Sequence, residues 1–277
     1  MLTRSREDLR EHAKKIKAIF FDIDDTLRLK DEEFMPESVK DVFRRLKEKG
    51  ILTGIASGRA YHAIVPEVRE LGADVYVTIN GQYVITPSGE ELYSNPIPSD
   101  VVERAIEWAK SENVELVFIG SSNVALTKWN EYGEAALPIV YGRGIIEYPK
   151  FHEKHRVYQM LTINENAESL VLPEELRQHV RLVKWHPYSN DIIPLGGSKA
   201  NGIARVIESL GLTPDEIMAF GDEMNDIEMF NFVGIAVAMG NANWKVKPLA
   251  DYVTKTVTDD GILDALETLG ILDKTED

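Results

Sequence analysis

The sequence predicts an α/β fold, a Rossmann-like core built on a parallel sheet and interrupted by an inserted α+β domain. Three observations carry this. From Ile16 onward, short apolar runs alternate with amphipathic helical stretches, the rhythm of a parallel sheet. Between about residues 84 and 192 that rhythm breaks, and hairpin-like runs take its place. After Gly197 it resumes. The core therefore reads as residues 1–83 and 193–277, and the insert as residues 84–192.

The elements follow in order. Ala18-Ile19-Phe20-Phe21 reads as a buried strand ending at Asp22. Val39, Val42, Phe43 and Leu46 recur at i, i+3, i+4 and i+7, a helix bounded by Pro36 and Gly50. Residues 51–56 form a second strand ending at Ser57-Gly58-Arg59, and residues 75–79 a third ending at Asn80-Gly81. The runs 83–85 and 91–93 flank Pro87-Ser88-Gly89 as a hairpin. Inside the insert come a helix over 99–113, strands at 114–119 and 157–163, a helix around 173–179, and strands at 180–185 and 191–193. The core then continues with a helix over 199–210 and a strand at 217–220 ending at Gly221-Asp222. A helix near 226–230, a strand at 234–238 and a closing helix near 262–269 complete it. Residues 1–15 are polar and form a short helix or a frayed arm.

Composition narrows the function classes. Of 277 residues 44% are hydrophobic and 28% charged, the balance of a soluble globular chain large enough to bury a core unaided. The absence of cysteine removes disulfides, thiolate metal sites and cysteine nucleophiles, and fits a cytoplasmic location. A net charge of −15 argues against nucleic acid and anionic membranes as partners. It does not argue against a phosphorylated substrate, because one divalent cation reverses the field of an acidic cleft. The charged N-terminal stretch is not expected to be a signal peptide, and no run reaches the ~20 apolar residues of a membrane span.

The chemistry concentrates where strands end, which is where open α/β sheets bind ligands. Three such ends carry Asp22-Ile23-Asp24-Asp25-Thr26, Ser57-Gly58-Arg59 and Gly221-Asp222-Glu223-Met224-Asn225-Asp226, and Lys199 joins them from the start of a helix. Together they supply carboxylates for a hard metal, a hydroxyl donor and a cation. Phosphoryl transfer needs such an inventory: a nucleophile, a proton donor for the leaving oxygen, and charge clamps on the equatorial oxygens. Taken singly, each signal has a bland reading. Asp and Thr after a strand serve as turn and cap residues, Ser57-Gly58 as a tight turn, and Lys199 as a solvated helix residue. Their conjunction in order carries the weight.

That conjunction resembles the haloacid dehalogenase (HAD) superfamily. Asp22-Ile23-Asp24-Asp25-Thr26-Leu27 is similar to its first motif, Ser57 to the second, Lys199 to the third, and Gly221-Asp222 with Asn225-Asp226 to the fourth. The large insert between the second and third motifs resembles the Cof-type, type IIB branch with an α/β cap. Asn80-Gly81, the run from Gly196 to Gly202, and Met239-Gly240-Asn241-Ala242 strengthen the likeness. The resemblance implies a Mg²⁺-dependent phosphatase for a small phosphorylated metabolite. Asp22 is then the nucleophile and Asp24 the general acid and base. Mg²⁺ is held by the Asp22 and Asp222 carboxylates and the Asp24 backbone carbonyl, with Asp226 behind these ligands or bound through water and also orienting Lys199. Ser57, Gly58, Lys199 and Asn225 bind phosphate, and the cap sets specificity. Asp25 departs from the family, which more often has Gly there, and this bears on the backbone of that loop.

Two other functions stay open at this point: a phosphosugar mutase resembling phosphomannomutases, and a non-catalytic phospho-ligand module. Other features fall away. Gly196-Gly197-Ser198-Lys199 lacks the order and spacing of a Walker A loop, and no GxGxxG follows a strand. His152 and His155 read as surface histidines of the insert, and Trp129, Tyr132, Tyr141 and Trp185 as ordinary core of the insert.

Overall fold

The protein is described from a computed structural model covering residues 4–137 and 145–274. Ala18–Phe21 forms β1, with all four residues fully buried, as expected of a parallel strand covered on both faces. Leu52–Ala56 (β2) and Ile217–Gly221 (β12) pair with it in parallel on either side, with Phe21 opposite Ile55 and Phe220. Val75–Thr78 (β3) extends the sheet beyond β2, and Ile235–Ala238 (β13) and Tyr252–Val253 (β14) extend it beyond β12, all in parallel. Tyr83–Ile85 (β4) turns back antiparallel on β3, and Glu91–Ser94 (β5) closes an eight-stranded sheet ordered β14-β13-β12-β1-β2-β3-β4-β5. The helix Glu37–Glu48 buries Val39, Val42, Phe43 and Leu46, the face its spacing predicts. The Phe43 ring meets Phe21 at 5.1 Å, and Phe21 stacks on Phe220 at 5.2 Å, so this helix is seated directly beneath the end of β1.

Contacts divide the chain into two units. The first comprises the chain up to Gly58, Val65–Tyr93, and the chain from Ser198 on; the second comprises Arg59–Ile64 and Ser94–Gly197. The sequence reading divides instead at 83/84 and 192/193. The difference arises because the β4–β5 hairpin lengthens the first sheet, and because the last strand of the insert runs on to Pro194.

The second unit has its own six-stranded sheet, built from Glu115–Ile119 (β6), Val124–Leu126 (β7), Ile146–Glu147 (β8), Gln159–Ile163 (β9), Val180–His186 (β10) and Ser189–Pro194 (β11). Its order is β10-β11-β9-β6-β7-β8. The helix Ser99–Ser111 and the single turn Glu174–Arg177 pack with one set of alternating strand residues. Leu116, Phe118, Met160 and Ile192 meet Val101, Ile106, Trp108 and Leu176 in one apolar cluster.

Several short elements have no periodicity to read. The strands β7, β8 and β14 are two or three residues long, and the helix Glu131–Ala136, capped by Asn130, spans under two turns. The N-terminal stretch settles as a helix, Arg6–Ala13, with a capping box in which Ser5 and Asp8 satisfy each other's backbone donors. No described helix is long and apolar enough to cross a membrane.

One strand residue of the second unit conflicts with its surroundings. Asp191 lies in register between Leu161 of β9 and Val183 of β10, on the opposite face from Ile192. Burial pushes its carboxyl up to about 7, against a hydrogen bond from Gln159 that favours the anion. An acid that holds its proton more tightly folded than unfolded weakens the fold as pH climbs from 3.8 through 7. Asp191→Asn keeps the shape and removes the charge. It should stabilise the protein at pH 8 by about 2 kcal/mol, with the gain vanishing toward pH 4. Thermal melts of both proteins at the two pH values check this, and an equal Tm difference at both would contradict it.

Candidate active site

The sheet brings the predicted strand ends together. Asp22 follows β1, and its N–H donates to the Phe220 carbonyl at 3.0 Å, so Asp22 and Asp222 leave neighbouring strands side by side. Ser57 follows β2 on the other flank, and its N–H donates to the Val77 carbonyl at 2.9 Å. Thr26, in the loop after β1, donates its hydroxyl to Asp222 Oδ1 at 2.7 Å and ties the two strand ends directly.

Lys199 enters from the first turn of the helix Lys199–Ser209, whose N-cap hydroxyl on Ser198 accepts from the Asn201 N–H. Its side chain is wholly buried. The ammonium sits 2.8 Å from Asp22 Oδ1 and 2.7 Å from Asp226 Oδ1. The second oxygen of Asp226 accepts from the N–H groups of Asp222 and Glu223 at 2.8 and 3.0 Å. Asp226 thus holds both Lys199 and the backbone beneath Asp222, and Gly221 has no side chain because a Cβ there would meet the Asp226 carboxylate at 2.5 Å.

One ammonium faces three carboxylates, and the balance shows in their protonation. Burial pushes Asp22 up to about 7 despite the attraction of Lys199. Burial, compounded by the charges of Asp22 and Asp226, pushes Asp222 up to about 9. Lys199 itself loses hydration by burial, but its two carboxylate partners outweigh that and hold it well above its ordinary value. Asp22, Asp222 and Asp226 each present an oxygen within 4.8 Å of the others. An all-oxygen donor set with an excess of negative charge suits a hard divalent cation. The Asp24 side chain lies outside this trio and is half-buried, next to the site and open to water.

The remaining predicted residues cluster on the other flank. Asn225 donates from Nδ2 to Asn80 Oδ1 at 3.3 Å, and a Cβ on Gly58 would lie 3.1 Å from that same Asn80 oxygen. Asn80 was legible only as half of an Asn-Gly dipeptide, and Thr26 only as part of the first loop. His152 and His155 join no metal cluster among the described residues; their rings pack on Phe118 and Phe151 at 5.8 and 4.5 Å. Trp129, Tyr132 and Trp185 are only half-buried and so are not the core expected of them. Tyr132 packs on Tyr188 at 5.3 Å and Trp185 on His186 at 5.4 Å, while Tyr141 lies outside the described residues.

Comparison with known proteins gives the family. A family model described as haloacid dehalogenase-like hydrolase matches residues 19–266. YkrA of Bacillus subtilis (strain 168), provisionally named a phosphatase, is 36% identical, over 92% of this chain and 98% of its own. A Streptococcus pyogenes protein, provisionally named a bifunctional phosphatase/peptidyl-prolyl cis-trans isomerase, is 46% identical over 96% of this chain. The chain spans 56% of that relative's length. Among solved structures, a HAD subclass IIB sugar phosphatase named BT4131 superposes with a TM-score of 0.76 at 30% identity, covering 92% of this chain and all of that one.

The loop after β1 answers the question raised by Asp25. Its φ is +61°, the left-handed region that glycine enters freely and other residues enter at a cost. Asp25 offsets part of that cost: its Oδ1 accepts from the Lys30 N–H at 3.2 Å, its own N–H donates to Arg28, and its carbonyl accepts from Asn241 Nδ2 at 2.7 Å. Asp25→Gly should therefore change stability by under about 1 kcal/mol, relief of strain balancing the lost hydrogen bond. Asp25→Val, β-branched at the same φ, should cost about 2 kcal/mol or more. Denaturant midpoints of the two variants decide it. A valine variant as stable as the glycine one would mean the loop does not hold this conformation.

Proposed function

The chain belongs to the haloacid dehalogenase-like hydrolases, and from that premise we propose that it is a Mg²⁺-dependent phosphatase that hydrolyses a small phosphorylated metabolite through a phosphoaspartate at Asp22. The observation that carries the reading is the buried Asp22–Lys199–Asp226 chain at the end of β1, beside a second strand-end acid, Asp222.

Each residue then has a task. Lys199 favours the ionised form of Asp22 against its burial and draws the phosphate's oxygens toward it. Asp22 attacks phosphorus in line, and the P–O bond to the leaving group breaks. Asp24, half-buried and outside the carboxylate trio, gives its proton to the leaving alkoxide. It then takes a proton from water, which attacks the phosphoaspartate, releasing inorganic phosphate and restoring the Asp22 carboxylate. Ser57, the Gly58 backbone and Asn225 hold the equatorial oxygens. Asp22, Asp222 and the Asp24 carbonyl would hold Mg²⁺, with Asp226 supporting it, and the ion would supply charge neutralisation for the phosphate dianion. The second unit selects the organic part of the substrate. The likeness to a sugar phosphatase supports a sugar phosphate as that substrate.

Two experiments test this. Chelation should abolish release of free phosphate from a panel of sugar phosphates, and Mg²⁺ should restore it better than Ca²⁺, whose looser coordination spoils in-line geometry. Full turnover in excess chelator removes the metal. Isomerised sugar phosphate in place of free phosphate makes the protein a mutase, and binding without turnover makes it a ligand module. The second experiment separates the two acids. Asp22→Asn should lose turnover by roughly 10³-fold or more with every substrate. With an aryl phosphate, whose leaving group needs no acid, Asp24→Asn should still give a burst of phenolate and then stall as a phosphoenzyme. Loss of the burst in both variants, with Mg²⁺ still bound, would overturn the role of Asp24.

A further inference from the structure

The turn after β3 is the most strained backbone of the first unit. Ile79 and Asn80 have φ of +52° and +50°, two consecutive non-glycine residues in the left-handed region, the first of them β-branched; Gly81 follows at +83°. Such a conformation persists only where its surroundings over-determine it. The surroundings here are three chain segments. Asn80 N–H donates to the Ser57 carbonyl at 3.0 Å, and its side-chain amide lies against Gly58, where a Cβ would come within 3.1 Å of Oδ1 and 3.4 Å of Nδ2. The same Oδ1 accepts from Asn225 Nδ2. Gly81 meets the first turn of the Lys199–Ser209 helix so closely that a Cβ would fall 2.0 Å from the Ser198 carbonyl oxygen and 3.1 Å from the Gly202 nitrogen. Ile79 is wholly buried and anchors the turn in the core.

The three segments that converge on this turn are those that carry Ser57-Gly58, Lys199 and Asn225. They are far apart in sequence; the Lys199–Asp226 ion pair joins two of them, and the turn touches all three. We infer that the turn Ile79-Asn80-Gly81 is the template on which the phosphate-holding groups are assembled, with Asn80 as the positioning residue whose side-chain amide sets the places of Asn225 and Ser57-Gly58. The inference rests on the phosphatase reading above. Asn80 touches no reacting atom; it acts through the groups it aligns. Its loss therefore weakens the hold on phosphate in the free ligand and in the substrate alike, and spares the proton transfers of Asp24.

Asn80→Gly isolates the role, because glycine adopts the left-handed turn without strain while deleting the amide. The variant should melt at or above the wild-type temperature, whereas a purely structural asparagine would show its loss in the Tm. In titration calorimetry with Mg²⁺, its Kd for inorganic phosphate should rise roughly tenfold or more, and KM for a sugar phosphate should rise by a similar factor, with kcat changed less. Adding Asn225→Ala to Asn80→Gly should weaken phosphate binding less than Asn225→Ala does in the wild type, since the two share one hydrogen bond. Phosphate Kd and KM within twofold of wild type in Asn80→Gly would overturn the inference. If Asn80→Gly proves unstable, Asn225→Ala alone decides: Asn225 is exposed, and unchanged phosphate affinity there overturns the alignment equally. A wild-type protein that neither binds phosphate nor turns over any phosphate ester removes the phosphatase reading and this inference with it. A wild type that does both, with a variant that matches it, removes the inference alone.

Discussion

The buried ammonium of Lys199 is the constraint around which the first unit is organised. A wholly buried charge is tolerated only with partners, and removing one typically costs about 3–5 kcal/mol. Its partners, Asp22 and Asp226, come from opposite ends of the sequence motif set and must arrive within 2.8 Å of one nitrogen. That requirement places the start of the Lys199–Ser209 helix against the ends of β1 and β12. It also makes Asp226 a structural bridge, because its other oxygen is taken by the Asp222 and Glu223 N–H groups. Lys199 cannot balance three carboxylates. The remaining negative charge, visible in the raised Asp22 and Asp222, is what a divalent cation would relieve.

The parallel sheet makes such a meeting economical. Adjacent parallel strands all end on one side, so acids placed just past the apolar runs of β1 and β12 become neighbours without any loop reaching across. The stacked rings of Phe21 and Phe220 sit one residue from those acids on β1 and two on β12, giving the strand ends a rigid floor. The apolar core thereby sets the spacing of the polar site above it.

Strain gathers at the same rim. Asp25, Ile79 and Asn80 occupy left-handed backbone without being glycine, and each lies in a loop that carries or touches a proposed site residue. At Asp25 the cost is partly met by a local hydrogen bond from the Lys30 N–H and a long-range one from Asn241. At Ile79 and Asn80 it is met by burial and by contacts with three distant segments. Loops free to relax would not keep these conformations.

What the sequence determined by itself was the α/β rhythm, the long strands and helices, and the residues set at the strand ends. Each of these is written in a window of a few residues, as an apolar run, a helical period or a polar cluster at its edge. The helix over Glu37–Glu48 and the strand ending at Asp22 needed nothing more. The short strands β7, β8 and β14 were not legible, since two or three residues carry no period and pair only because a neighbouring strand offers an edge. The join of the β4–β5 hairpin to the first sheet was likewise decided by pairing, not by pattern. Asp25 could be seen as a departure from glycine, but only the backbone showed the positive φ that gives the departure meaning. Nor could the sequence assign Asp226 its two sets of partners or bring Asn80 to Asn225, 145 residues away. Those contacts depend on register and helix packing, long-range properties of the folded chain in which no single segment carries the distance.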